Sequence, residues 1–256
     1  MHIKIISIAN QKGGVGKTTT AINLSAALAI AKKNVLLIDL DPQGNATTGL
    51  GVKQEGQGSY NLLIEEDVLL QDILKDTLID GLKIISSSID LAGAEVELVN
   101  LRNKEFLLKS KLEKSDLSNL DYIIFDCAPS LGLLSINALV ASHSVIAPVQ
   151  CEFFAMEGLV RLMRTISMIQ SYANEALYME GILLTMSDRR NNLSRAIEEE
   201  IRENFGELVY KTVIPRNIKL SEAPSHGQPA LLYDTNCLGS VSYVMLAKEI
   251  LDFSDN

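Results

Sequence analysis

Seven short runs of apolar residues recur along the chain, at residues 3–9, 35–39, 82–85, 122–126, 144–149, 181–185 and 209–214. Most are apolar at consecutive rather than alternate positions, the pattern of strands buried on both faces of a parallel sheet. Helix-like stretches separate most of them. The first, residues 18–31, is rich in Ala and Leu and free of Pro and Gly, and the last covers residues 241–253. This alternation predicts an α/β fold, a mainly parallel twisted sheet with helices on both faces. Ligands in such sheets sit beyond the carboxyl ends of the strands. Residues 44–59 interrupt the pattern, being rich in Gly, Thr and Gln and poor in core residues, and are expected to form a mobile switch loop.

At 256 residues the chain fits a single domain, residues 1–256, large enough to bury a core without disulfides or metal. No run approaches about 18 uninterrupted apolar residues, and the first strand begins close to Met1. Neither a membrane span nor a cleaved leader is therefore expected, and the protein reads as cytoplasmic. Cys127, Cys151 and Cys237 are widely spaced with no C-x-x-C pair, so they read as buried small hydrophobes rather than as a disulfide or zinc set. His2, His143 and His226 are equally scattered. The net charge of −9 argues against a globally basic nucleic-acid coat. Seven of the eight arginines nevertheless fall between positions 161 and 216, which leaves room for a local basic face.

The chemistry concentrates after the first strand, where residues 9–20 read Ala-Asn-Gln-Lys-Gly-Gly-Val-Gly-Lys-Thr-Thr-Thr. The usual phosphate loop, G-x-x-x-x-G-K-[ST], needs glycine at position 11, which here is Gln11. The physics survives the mismatch. Backbone free of side chains at Gly13, Gly14 and Gly16 can turn its N–H groups onto phosphate oxygens, and the following helix adds its positive N-terminal end. Lys17 then reaches the β- and γ-phosphates and Thr18 offers a hydroxyl to Mg²⁺. Lys12, five positions before Lys17, is a lysine the ordinary loop does not have.

Two acidic motifs follow. The second strand ends Leu37-Ile38-Asp39-Leu40-Asp41-Pro42, placing two carboxylates two residues apart at the carboxyl edge of the sheet. A phosphate–Mg²⁺ site needs one group to hold magnesium and another to position water for in-line attack, and either aspartate suits either role. The run Tyr122-Ile123-Ile124-Phe125-Asp126 is a hydrophobic strand closing in an aspartate, the pattern of a magnesium partner in phosphate-loop enzymes.

Taken together, Lys12 to Thr18, Asp39-Leu40-Asp41-Pro42-Gln43 and Ile124-Phe125-Asp126 resemble the deviant-Walker phosphate-loop ATPases, specifically the ParA/Soj chromosome-partitioning branch. The stretches 148–158 and 213–225 are similar to later motifs of that branch, so the likeness spans effectively the whole chain. The resemblance implies an ATP hydrolase that uses ATP and Mg²⁺ and closes a sandwich homodimer on binding ATP. In it Lys12 crosses to the partner's nucleotide, acting like an arginine finger supplied in trans. It implies nucleotide contacts by Lys12, Gly13, Gly14, Val15, Gly16, Lys17, Thr18 and Thr19, with Pro215, Arg216 and Asn217 near the adenine. Asp41 would help place the attacking water, Asp39 and Asp126 would support Mg²⁺ with Thr18, and Gln150 and Glu152 would lie near the dimer face. It further implies that the ATP dimer binds double-stranded DNA without sequence preference through Arg189, Arg190 and Lys219. A ParB-like protein would stimulate hydrolysis, and the protein would be nucleoid-associated.

Two relatives of the same superfamily are weighed on sequence, and the first of them, a membrane-associated positioning ATPase, stands as the alternative reading. A MinD-like membrane ATPase needs a basic amphipathic C-terminal helix, whereas residues 248–256 carry one lysine and three acids. A nitrogenase iron-protein type needs cysteines placed to share a cluster, and Cys127 directly after Asp126 is too close to the magnesium site for that. A repressor's preceding helix-turn-helix is likewise not expected, with the first strand starting at Ile3.

Overall fold

The computed structural model describes residues 3–130, 132–188 and 190–254. Among them the strands are β1 (Lys4–Ile8), β2 (Val35–Leu40), β3 (Lys75–Asp76), β4 (Leu82–Ile85), β5 (Tyr122–Cys127), β6 (Ser144–Gln150) and β7 (Tyr178–Thr185). The α-helices are α1 (Lys17–Ile30), α2 (Asn45–Gly49), α3 (Ser59–Ile64), α4 (Leu91–Leu98), α5 (Leu107–Lys114) and α6 (Leu133–Ala141). They continue with α7 (Ala155–Tyr172), α8 (Asn192–Phe205), α9 (Ile218–Glu222), α10 (Ala230–Tyr233) and α11 (Leu238–Ser254).

The strands form one sheet in the order β3-β4-β2-β5-β1-β6-β7, parallel throughout except for the antiparallel edge pair β3–β4. This is the expected α/β architecture. Strand side chains divide between two cores. Ile123 and Phe125 of β5, with Leu36 and Ile38 of β2, face the layer that holds α6, α7 and α8, while Tyr122 and Ile124, with Val35 and Leu37, face α1 and α11. Burial on both faces is why these strands read as unbroken apolar runs. Helix α1 is buried nearly all round, its Ala, Ser and Thr positions letting it lie closely between the sheet and α11. The Thr20 hydroxyl meets the buried Tyr243 hydroxyl there at 3.1 Å.

Six of the seven apolar runs are strands, and the seventh, residues 209–214, is not. It runs beside β7, with Tyr210 N–H donating to Ile182 O and Ile214 N–H to Leu184 O. Between those two contacts the Lys211 and Thr212 amides turn to the Glu249 carboxylate of α11 at 2.8 and 3.1 Å. That diversion interrupts the ladder and leaves only isolated bridges. The expectation of a loop at residues 44–59 also needs correction, because α2 and the start of α3 fall inside it. Cys127 and Cys151 are buried, and Cys237 is half-buried. No helix among the described residues is long and apolar enough to cross a membrane.

Candidate functional site

Strand β1 delivers the glycine loop to the carboxyl edge at the middle of the sheet, with β5 on one side and β6 on the other. Gly14 and Gly16 adopt φ of +74° and +89°, the left-handed region that only glycine enters freely. Gly16 is the residue at the start of α1, and no side chain caps that helix end. Its first N–H groups are thus left for an anionic ligand. Val15 is buried and its carbonyl accepts the Thr185 hydroxyl of β7 at 2.8 Å, which ties the loop to the sheet. Asn10 supports the other side, donating to Pro148 O at 2.7 Å while its Oδ1 accepts the Lys12 N–H at 3.0 Å.

A cleft of about 410 Å³ opens over this loop, lined by Gly13, Gly14, Gly16, Lys17, Thr18 and Thr19 together with Asp41, Gln43, Asn45, Pro129 and Met186. Lys17 is only 6% exposed and its ammonium donates to the Lys12 carbonyl at 3.1 Å. Burial pulls its pKa below the ordinary lysine value, and the nearby Asp126, Cys127 and Asp41 oppose that shift. An incoming phosphate would favour its charged form further. Lys12 behaves differently. Its side chain leaves the cleft and pairs with Glu152 at 2.5 Å, both groups remaining well exposed. It lines a separate shallow depression of about 360 Å³ with Gln11, Phe154, Glu157, Gly158 and Arg161.

The three aspartates are not equivalent. Asp39 and Asp126 are exact neighbours across the β2–β5 ladder and share parity with the residues that face α1, so both carboxylates enter the low-dielectric space behind the loop. Asp126 is fully buried, and neither of its oxygens makes a well-aligned hydrogen bond. Desolvation first, then Asp39, push its pKa well above the usual carboxylate range, with the Thr18 hydroxyl and Lys17 pulling the other way. A buried acid without a partner beside a threonine hydroxyl that lines the cleft fits a divalent cation, which would supply the missing positive charge. Asp39 does not fit a ligand's role in the same way. Its Oδ2 already accepts the Thr47 N–H at 2.9 Å and the Thr47 hydroxyl at 2.7 Å, and its Oδ1 accepts the Asp41 N–H at 3.2 Å. Asp41 lies in the cleft wall with its Oδ1 accepting the Gln43 N–H at 3.0 Å.

Burial pushes the Asp39 carboxyl up to about 6 in spite of those hydrogen bonds. The folded chain therefore binds this proton more tightly than the unfolded chain, whose value is near 3.9. Stability from this group is complete at low pH and is lost as pH rises through about 6. In the absence of nucleotide and magnesium, wild type is expected to lose stability relative to Asp39→Asn as pH rises from about 4.5 to 7.5, since the substitution removes this titration and also relieves the Asp126 carboxyl of a neighbouring charge. Urea unfolding of both proteins checks this, and parallel pH profiles would contradict it.

The C-terminal motif approaches the same cleft. A parallel bridge joins Ser187 to Pro215, and Arg216 N–H donates to Ser187 O at 3.1 Å, which sets residues 215–217 beside Met186 in the cleft wall. Asn217 accepts the Lys219 N–H at 2.8 Å and so caps α9. The same bridge brings Asp188 near enough to Arg216 for that guanidinium to help lower its pKa. Arg190 is 90% exposed and forms a bidentate pair with Asp188 at 2.9 Å through Nε and Nη2. That pairing holds Asp188 down to about 2. Lys219 donates to Glu222 at 2.9 Å and stands over the Tyr233 ring, 5.3 Å from its centre. Arg189 lies outside the described residues. Sequence reasoning did not find Gln43, Asn45, Pro129 or Met186. The φ of +50° at Met186, a loop strain invisible in composition, is what turns the chain there.

A glycine loop with two lysines, at the carboxyl edge of a parallel sheet and backed by paired buried aspartates, defines a phosphate-loop nucleotide-binding protein of the deviant Walker type. Comparisons with known proteins narrow this. A family model described as an AAA domain matches residues 3–179. The chain is 54% identical over 250 residues to the sporulation initiation inhibitor protein Soj of Bacillus subtilis, covering 96% of this chain and 98% of that protein. It is 47% identical over 252 residues to the chromosome partitioning protein ParA of Caulobacter vibrioides, covering 97% and 94%. Among solved structures, cobyrinic acid a,c-diamide synthase of Mycobacterium smegmatis with bound ADP and magnesium superposes with a TM-score of 0.85 at 35% identity, covering 100% of this chain and 96% of that one. The chain belongs to the ParA/Soj family of chromosome-partitioning ATPases.

Proposed function

We propose that this chain is an ATP hydrolase of chromosome partitioning. ATP with Mg²⁺ closes it into a homodimer, the dimer binds double-stranded DNA without regard to sequence, and a ParB-like partner stimulates hydrolysis and release. The observation that carries this reading is the position of Lys12. A lysine fixed by its backbone to the phosphate loop, yet with its ammonium turned out of its own cleft onto exposed Glu152, is arranged to serve a nucleotide on another copy. Phe153 and Phe154, 75% and 62% exposed and packed edge to face, lie next to Glu152 and offer apolar surface for such a contact.

Within one protomer, the loop amides and Lys17 bind the phosphates, and residues 215–217 with Met186 flank the base. Thr18 and Asp126 would hold magnesium, which when bound neutralises charge on the phosphates. Asp41, in the cleft wall, orients the attacking water. Asp39 holds the segment that carries Asp41 through Thr47 rather than touching the cation. Lys12 of the opposing protomer adds charge opposite the leaving phosphate.

DNA binding rests on Arg190 and Lys219, phosphate contacts that position the duplex without reading bases. Arg189 belongs to the same proposed set. Binding should appear with ATP or a slowly hydrolysed analogue, be nearly absent with ADP, and fall steeply with salt. Arg190→Ala combined with Lys219→Ala should weaken the ATP-dependent binding at least ~10-fold. It should also lower the slope of log affinity against log salt by about 3–4, two contacts per protomer being removed from each dimer. Titration of a fluorescent duplex of arbitrary sequence at several salt concentrations measures both. Strong binding without nucleotide, or an unchanged slope in the double variant, contradicts the assignment.

A further inference from the structure

Helix α2 is fastened at both ends. The chain enters it directly from Asp41, whose carbonyl accepts the Gly44 N–H at 2.9 Å. Within its first turn the Thr47 hydroxyl donates to Asp39 and accepts the Ser87 N–H at 2.9 Å, so that α2 is bolted to β2 and to the loop after β4. At its far end the backbone of Gly51 lies directly on the backbone of Gly227. A Cβ on Gly51 would stand 2.8 Å from the Gly227 carbonyl oxygen, and a Cβ on Gly227 would stand 2.7 Å from the Gly51 Cα. Both residues have left-handed φ, +72° and +64°. Gly49 adds a second contact, its Cβ position lying 3.6 Å from Pro224 Cβ.

The surface that receives these contacts, the 3₁₀ turn Ala223–His226 and Gly227, follows directly on α9, which carries Lys219. Two backbones in van der Waals contact, with no side chain between them to yield, can pass a displacement from one to the other even though Gly51 is exposed and Gly227 half-buried. We propose that α2 is a rigid relay that couples the state of the phosphate cleft, sensed at Asp41 and Asp39, to the position of Lys219, with the Gly51–Gly227 contact as its output. The proposal rests on the DNA-binding reading above and assigns that reading its internal control: nucleotide acts on the DNA face within each protomer as well as by pairing protomers.

Gly227→Ala in the full chain separates the two backbones. Gly49→Ala is milder, since its methyl meets chiefly the movable end of Ile22, 2.6 Å away. Gly56→Ala is the control, because Gly56 has a φ of +74° but nothing within 4 Å of its Cβ position, so it imposes the same backbone strain without a contact. The readout is the ratio of DNA affinities with a slowly hydrolysed ATP analogue and with ADP. Dimerisation is followed by sedimentation and folding by circular dichroism. Gly227→Ala is expected to cut the ratio at least tenfold and Gly49→Ala about threefold, with dimerisation within twofold of wild type and Gly56→Ala unchanged. An unchanged ratio in folded Gly227→Ala, or a fall matched by lost dimer or by the control, overturns the relay. If Gly227→Ala does not fold, an unchanged ratio in Gly49→Ala overturns it. A wild type with no nucleotide-dependent DNA binding would overturn the parent reading instead, a result distinct from the others.

Discussion

Lys12→Ala is expected to bind ATP within about threefold of wild type and to lose partner-stimulated hydrolysis by about 10³-fold, the scale of a charge supplied in trans to phosphoryl transfer. The two effects separate because the lysines have separate places. Lys17, buried and held by the Lys12 carbonyl, faces the cleft of its own protomer, and removing the Lys12 side chain leaves that backbone contact intact. The Lys12 ammonium lies outside, on Glu152. An exposed ion pair of this kind contributes about 0–1 kcal/mol, so the fold should not notice its loss. Single-turnover hydrolysis with and without the partner, beside equilibrium binding of a fluorescent ATP analogue, makes the comparison. Hydrolysis at the wild-type rate would remove the trans role.

Asp41→Ala should lower turnover by about 10²–10⁴-fold, as removal of a group that orients and deprotonates the nucleophile does, while ATP is still bound. With hydrolysis blocked, the ATP-bound dimer should accumulate and stay on DNA. Asp41 is the one of the three aspartates that lines the cleft, whereas Asp126 is fully buried and Asp39 is occupied by Thr47. Asp39→Ala should therefore act differently, loosening α2 and lowering stability. Light scattering with ATP reports the trapped dimer. Rapid turnover in Asp41→Ala, with a trapped dimer in Asp39→Ala, would exchange the two roles.

Much of this was legible from residue order because the features concerned are local. Strands buried on both faces announce themselves as apolar runs, and a loop that must present N–H groups to phosphate needs glycine at fixed offsets. The misses have non-local causes. Residues 209–214 have the composition of a strand, but a glutamate almost 40 positions away on α11 takes the amides that would have completed the ladder. The edge strand Lys75–Asp76 is two polar residues and carries no pattern to read. Residues 44–59 look irregular because few of them are apolar, and α2 adds to the burial of Ala46 and Leu50 the polar contacts of Thr47 with Asp39 and Ser87.

The sequence by itself determined the class of fold, the phosphate loop with its second lysine, the acidic residues that accompany it and the family. Each is written in short-range spacing or in a likeness to known relatives that runs along nearly the whole chain, at 54% identity over 250 residues in one case. Only the tertiary structure separates the surroundings of the aspartates, because period two puts Asp39 and Asp41 on one face and cannot tell them apart. Their partners can: Thr47 occupies one, and the other borders the cleft. It also decided where the Lys12 ammonium rests and that Gly51 meets Gly227, contacts made across about 140 and 176 residues of chain. Such contacts are set by how layers pack on the two faces of the sheet, and no local pattern of polar and apolar positions encodes them.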